Sequence, residues 1–261
     1  MDILFFVVAF LSSIVGAICG IGGGVVIKPV LDMLQMGAPA TINFLSGCTV
    51  LSMSLYSVSK ALRAGDSKVE MSTGTPLALG AAVGGVVGKE LFSAVKTFFN
   101  GSPMVGGVQA VALGIITLGT LLYTVNKAKI RTRRTDSKLI CVVIGLLLGV
   151  MSSFLGIGGG PINLVVLGFC FSMDTKTAAA NSLYIILFSQ VASLIATLIS
   201  GVPEFQALAL LLMVAGGIGG GIVGRSLNKK MDNRAVDKLF IGLMVLIVAI
   251  CVYNAGRAFA G

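Results

Sequence analysis

The sequence predicts an all-α integral membrane protein: two inverted repeats of about four transmembrane helices each, every repeat containing a Gly-rich broken helix or re-entrant hairpin. Three observations predict it. Apolar runs of membrane length recur along the chain, one pentapeptide occurs twice, and the basic residues gather in particular loops.

The chain has 261 residues, 56% hydrophobic and 11% charged, with mean hydropathy +1.01. Soluble domains carry about 25% charged residues. A soluble core could not hide this much apolar surface, so lipid is the natural solvent. Apolar segments lie at about 3–20, 25–36, 41–62, 76–95, 104–125, 139–156, 161–173, 177–200, 207–224 and 238–255. Most approach the roughly 20 residues that cross a bilayer. The N-terminus, Met1-Asp2-Ile3-Leu4-Phe5-Phe6, has no basic n-region and no small-residue cleavage site, so it reads as the first membrane segment. A net charge of +9 would point to nucleic acid in a soluble protein. Here Lys and Arg sit in short loops and orient the chain in lipid, and no nucleic-acid partner is expected.

Cys19, Cys48, Cys141, Cys170 and Cys251 all lie in apolar segments and form no CxxC pair. Without any His, neither a metal site nor a cofactor is expected. The cysteines read as small buried hydrophobes. Cys19 adjoins the first glycine run, which leaves open a thiol that touches substrate.

Asn126 to Lys138, with six Lys or Arg residues, divides residues 1–125 from residues 139–261. The halves repeat at an offset of 136: Gly20-Ile21-Gly22-Gly23-Gly24 falls on Gly156-Ile157-Gly158-Gly159-Gly160. Thr41 falls on Thr177, Ser46 on Ser182, and Gly80, Gly84 and Gly88 on Gly216, Gly220 and Gly224. Over residues 20–91 there are 19 identities in 72 ungapped pairs.

Loop charge sets the relation between the halves. The 126–138 loop and the Arg225–Lys238 loop are both basic, so both belong on the cytoplasmic side. An even number of segments must then separate them. That holds if Gly156–Gly160 is the tip of a hairpin. Each unit then has five segments, and an odd number makes the units inverted. The arms after the tips, 25–36 and 161–173, reach only about 18–20 Å and read as re-entrant half-helices.

Three consecutive glycines weaken a helix and free backbone groups that lipid cannot satisfy. Such backbone is tolerated where protein buries it or where it lines a wet cavity. Exposed N–H groups at the start of a half-helix suit an anion. Gly22, Gly23 and Gly24, with Gly158, Gly159 and Gly160, are therefore candidate substrate-binding residues. Close helix packing is the competing reading, and it is preferred for Gly84-Gly85. The segments after the breaks are unusually polar. Thr41, Ser46, Asn163, Thr177, Asn181 and Ser182 are neutral groups that could bind an oxyanion, or could tie helices together. Lys28 lies inside an apolar segment. Its partner is a substrate anion or Asp32 on the same helix face, unless it snorkels to an interface. No carboxylate lies deep in an apolar segment, so a proton relay has little support. An anion leaving a negative-inside cell runs downhill by about 2.3 kcal/mol per charge per 100 mV, and its export needs no coupling ion.

The paired Gly-Ile-Gly-Gly-Gly breaks, the Thr177-Ala-Ala-Ala-Asn-Ser-Leu183 stretch and the Gly80–Leu91 and Gly216–Leu227 runs resemble the sulfite exporter TauE/SafE family, also called the 4-toluene sulfonate uptake permease family. The resemblance covers essentially the whole chain. It implies a multi-pass transporter of the bacterial or archaeal plasma (inner) membrane, not an enzyme, with sulfite, organosulfonates or similar small anions as substrates. Pro29 matches the proline that members carry after the glycines. Lys28 and the early Pro161 depart from the pattern. The expected function is export of a small sulfur-containing anion by alternating access. An anion channel and a sulfur-relay protein using a cysteine are the alternatives. Besides its anion, the expected partner is membrane lipid.

Overall fold

The computed structural model describes residues 2–65, 68–99, 104–132, 134–135, 137–157 and 159–260. Among them the chain forms ten α-helices and no strand. These are α1 (Asp2–Cys19), α2 (Gly24–Met33), α3 (Pro39–Arg63), α4 (Met71–Phe98), α5 (Met104–Asn126), α6 (Lys138–Leu155), α7 (Gly160–Phe171), α8 (Thr175–Ser200), α9 (Ala207–Lys230) and α10 (Asn233–Ala260). Eight are long and apolar enough to cross a membrane; α2 and α7 are not. At 1.5 Å per residue, the ten residues of α2 rise about 15 Å, half a bilayer core.

Each expected apolar segment corresponds to one helix. Several helices outrun their apolar segments: α4 begins at Met71, before Pro76, and α10 spans 28 residues. Polar termini continue a helix at no cost where headgroups and water can satisfy them, so hydropathy alone truncates these ends. The duplication reaches the backbone: α6, α7, α8 and α9 begin at residues 138, 160, 175 and 207, each 136 after the beginnings of α1 to α4.

Packing repeats as well. α1 lies along α9 and α6 along α4, while α5 packs on α10 and α3 on α8. Glycines allow the first two approaches. A Cβ at Gly80, Gly84 or Gly88 of α4 would stand 2.1–2.3 Å from a carbonyl oxygen of α6. A Cβ at Gly220 or Gly224 of α9 would stand 2.4 Å from a carbonyl oxygen of α1. Gly84 and Gly85 are thus contact residues, Gly84 against Leu146 and Gly85 against Ser189. Close approach through small residues is how membrane helices gain contact when lipid removes the hydrophobic drive.

Candidate functional site

Both glycine pentapeptides interrupt the helix, and both do so by turning back. After α1 the chain takes positive φ at Gly20 (76°) and Gly22 (64°), conformations only glycine adopts without strain. Gly23 then lies against Ser12 and Gly16, so α2 starts beside the last turns of α1 rather than beyond them. After α6, Gly156 (φ 66°) closes the helix and Gly159 (φ 84°) opens α7.

The two breaks meet. A Cβ on Gly24 would stand 2.7 Å from the Ile157 carbonyl oxygen, and one on Gly160 would stand 2.7 Å from the Ile21 carbonyl oxygen. Residues 21 and 24 are the repeat-mates of 157 and 160, so the contact is reciprocal. Among the described residues nothing accepts from the N–H groups of Gly22, Gly23 or Gly24. Gly158 lies outside the described residues.

Side chains around the joined breaks are unequal. Beside Gly159 stand Ser152 and Asn163. Asn163 is 1% exposed and donates from Nδ2 to Ser182 Oγ at 3.3 Å. Its Oδ1, Ser152 Oγ and Ser46 Oγ are buried without a partner among the described residues. The first break faces Val50 and Ile186 at Gly22, and Ile27 stands at the position equivalent to Asn163.

Four other expected residues are engaged elsewhere. Thr41 Oγ1 donates to the Glu204 carbonyl at the far end of α3. Thr177 belongs to the cap of α8: Asp174 accepts from the N–H groups of Lys176 and Thr177 and from Thr177 Oγ1. Partial burial pushes the Asp174 carboxyl up, but these bonds and the positive field of Lys68 outweigh it and hold it below its ordinary value. Asn181 clamps the start of α4, accepting from Glu70 N–H and donating to the carbonyls of Lys68 and Thr177. Lys28 is 2% exposed and pairs with Asp32 at 3.1 Å, beside Gln109 of α5 and Cys251 of α10. It faces the outer helices, not the partner break. Thr41, Thr177 and Asn181 lie in polar segments and Lys28 in an apolar one, but neither pattern carries information about which neighbour a polar group meets.

Two cavities flank the joined breaks at opposite ends of α3 and α8. One, of about 290 Å³, lies between the C-terminal end of α3 (Ser57, Ala61) and the N-terminal end of α8 (Ala179, Leu183). The other, of about 40 Å³, lies between the N-terminal end of α3 (Asn43, Gly47) and the C-terminal end of α8 (Gln190, Thr197). Nine residues lining the larger cavity are repeat-mates of residues lining the smaller, among them Ala17 and Ser153, Ala179 and Asn43, and Arg225 and Lys89. The larger is also lined by Lys68, Lys176 and Lys229 and, among the described residues, by no carboxylate. Lys176 Nζ reaches the Met231 carbonyl, and Arg225 that of Ser57. Ser153 and Lys89 were not among the expected site residues, whereas Asn43 and Gln190 belong to the polar segments after the breaks. The available signal was a polar residue in one repeat opposite alanine in the other, as at positions 43 and 153.

Comparison with known proteins agrees with this architecture. The chain is 27% identical to the probable membrane transporter protein YunE of Bacillus subtilis, over 97% of both chains. It is 24% identical to the probable membrane transporter protein MJ0441 of Methanocaldococcus jannaschii, over 75% of this chain and 72% of that one. It is 28% identical to the probable membrane transporter protein MamO of Magnetospirillum gryphiswaldense, over 40% of this chain and 18% of that one. No solved structure matches. The family model "Sulfite exporter TauE/SafE" matches residues 5–250, and the chain belongs to that family of multi-pass membrane proteins.

Proposed function

We propose that this protein is a secondary transporter that exports a small sulfur-containing anion, such as sulfite or an organosulfonate, across the plasma membrane of a bacterium or archaeon by alternating access. Its units are residues 1–125 and 139–261, inverted about the basic cytoplasmic linker 126–138. The observation that carries this reading is the pair of repeat-related cavities on either side of the joined glycine breaks, one of about 290 Å³ and one of about 40 Å³.

Inversion is supported by the cavity linings, since each cavity combines the end of one long helix with the opposite end of its repeat-mate. In a two-fold related carrier, opening one cavity and closing the other exchanges the roles of the two units. The basic lining favours a cytoplasmic position for the larger cavity, since positive residues concentrate on that side. It also suits an exporter that must collect an anion from inside, because a cleft of one charge sign raises the local concentration of its counter-ion. The half-helices α2 and α7 are re-entrant, and their starts offer backbone donors to the passing anion. Gly22, Gly23, Gly24, Gly159 and Gly160 form this passage, with Ser46, Asn163 and Ser182 as polar support. The family name and the transporter names of the relatives favour transport over catalysis.

The test is flux from proteoliposomes loaded with sulfite, thiosulfate, methanesulfonate or acetate. Saturable, slow efflux of a sulfur oxyanion is expected. Movement of none of these anions overturns the reading, and large single-channel currents replace the carrier with a channel.

A further inference from the structure

We infer that the smaller cavity contains an anion-binding site for a small, singly charged oxyanion, built from Asn43, Ser153, Gln190 and Lys89. The inference deepens the transport reading by naming a site and a charge class, and its binding test stands apart from flux.

Three polar atoms of this cavity are buried without a partner among the described residues, and the half-buried Lys89 ammonium lies over the Phe92 ring. Asn43 Nδ2 and Oδ1 and Ser153 Oγ are inaccessible and bond to nothing among the described residues. Ser153 is 7% exposed and Gln190 5%. A buried amide or hydroxyl left unpaired costs about 1–3 kcal/mol, so three such atoms around one cavity mark a place where a polar guest is expected. Asn43 is held in position by contact with Gly156, where a Cβ would stand 2.4 Å from Asn43 Oδ1. Gln190 is seated against Gly47, where a Cβ would stand 3.1 Å from Gln190 Oε1.

Charge chooses the guest. Lys89 lines this cavity, and among the described residues no carboxylate does. Lys89 also lines the wider mouth beyond, beside Glu90 and Lys96, so it stands where the mouth narrows. One lysine balances one negative charge. A divalent anion would keep an uncompensated charge in a largely desolvated space, which is costly. Volume bounds the guest: about 40 Å³ is a few times the roughly 10–15 Å³ that one water requires. An ion of four or five heavy atoms is the right scale. Phe44, Phe92 and Leu194 supply apolar walls that would accept the methyl group of an alkylsulfonate.

The repeat-mate cavity isolates the causes. There Asn43 and Ser153 are replaced by Ala179 and Ala17, the repeat-mate of Gln190 (Ser54) is not part of the lining, and the Lys89 position stays basic, as Arg225. The larger cavity gathers anions by charge, and the smaller one holds them by hydrogen bonds.

The experiment measures binding of methanesulfonate, nitrate and sulfate to the purified full-length protein by calorimetry and thermal shift. Variants are Asn43→Ala and Ser153→Ala, which install the repeat-mate residue, and Lys89→Met, with Lys129→Met and Lys138→Met as exposed controls outside both cavities. Unliganded melting temperature and size-exclusion profile establish that each variant folds. Expected results are saturable methanesulfonate binding, at least tenfold tighter than sulfate, weakened at least tenfold by each smaller-cavity variant and less than threefold by either control. Folded Asn43→Ala and Ser153→Ala proteins that bind like the parent overturn the site. Preference for sulfate, or binding of none of the three anions, overturns the ligand class. Should these two variants fail to fold, Lys89→Met and Gln190→Ala decide the same question. Flux by a parent protein whose binding ignores these variants would keep the transport reading and discard the site. Variant-sensitive binding without flux would do the reverse.

Discussion

The two glycine breaks share five consecutive residues, and each ends one helix and starts a short one, yet their surroundings have diverged. At the second break, Ser152, Asn163 and Ser182 form a buried polar group around Gly159. At the first, the equivalent positions are Gly16, Ile27 and Ser46, and Val50 and Ile186 close over Gly22. Backbone and side chains have thus been divided between two tasks. The duplicated glycines let each break approach the other to backbone contact, an interaction that cannot change in one unit alone. Side chains that only one unit displays make the surroundings of the second break polar.

The largest expected effect concerns a pair that only the first unit has. Lys28 and Asp32 correspond to Leu164 and Gly168 in the second. Asp32→Asn strands a buried ammonium and is expected to destabilise the protein by about 3–5 kcal/mol. Lys28→Leu with Asp32→Ala should recover most of that loss. Denaturant or thermal unfolding in detergent measures both. A double variant no better than Asp32→Asn would mean that the pair contributes more than mutual neutralisation.

Next come Gly24→Ala and Gly160→Ala. Each inserts a methyl group against the partner break, with an expected cost of about 1–3 kcal/mol. The reciprocal contact requires the two losses to be similar. A large effect from one and none from the other, by melting temperature and flux, would break the equivalence of the breaks.

The side-chain swap separates them. Ile27→Asn buries an amide without a partner and is expected to cost about 1–3 kcal/mol. Asn163→Ile removes an amide whose oxygen is already unpartnered, and stability should change by less than about 1 kcal/mol. Efflux should nevertheless fall at least several-fold. Full flux through Asn163→Ile would assign the polar group at the second break to packing.

The smallest effect lies at the helix starts. α8 is capped by Asp174, whereas the equivalent α3 position is Ala38, with no side-chain cap. Asp174→Ala should cost about 1 kcal/mol at neutral pH. Because the folded-state carboxyl titrates below its unfolded value, the cap's contribution is present above the ordinary carboxylate range and is lost as pH falls through the folded value. The parent and Asp174→Ala proteins should therefore converge in stability below about pH 4. A difference independent of pH would remove the charged cap as its cause.

Much of the architecture was legible in the sequence, because lipid enforces it locally. Every spanning segment must be apolar and must satisfy its own backbone, so hydropathy located the ten helices, and the repeat offset anticipated where α6 to α9 begin. The polar faces were legible too, but their uses were not. Thr177 and Asn181 sit on one helix at helical spacing, and both turn out to tie the chain locally, one to Asp174 and the other to the 68–70 segment. Asn43 and Ser153, far apart in the chain, face a common cavity that no spacing rule connects.

By itself, then, the sequence determined the membrane environment, the duplication and the positions of the breaks. Each follows from interactions within a segment or from identity between segments. Only the tertiary structure decided that the breaks touch, that Lys28 turns to Asp32 and away from the partner break, and that two repeat-related cavities carry different chemistry. The physical reason is that a polar or glycine residue in a membrane helix has one local pattern and many possible neighbours. The choice among them is made by helices more than a hundred residues apart, packing at distances that only their smallest side chains allow.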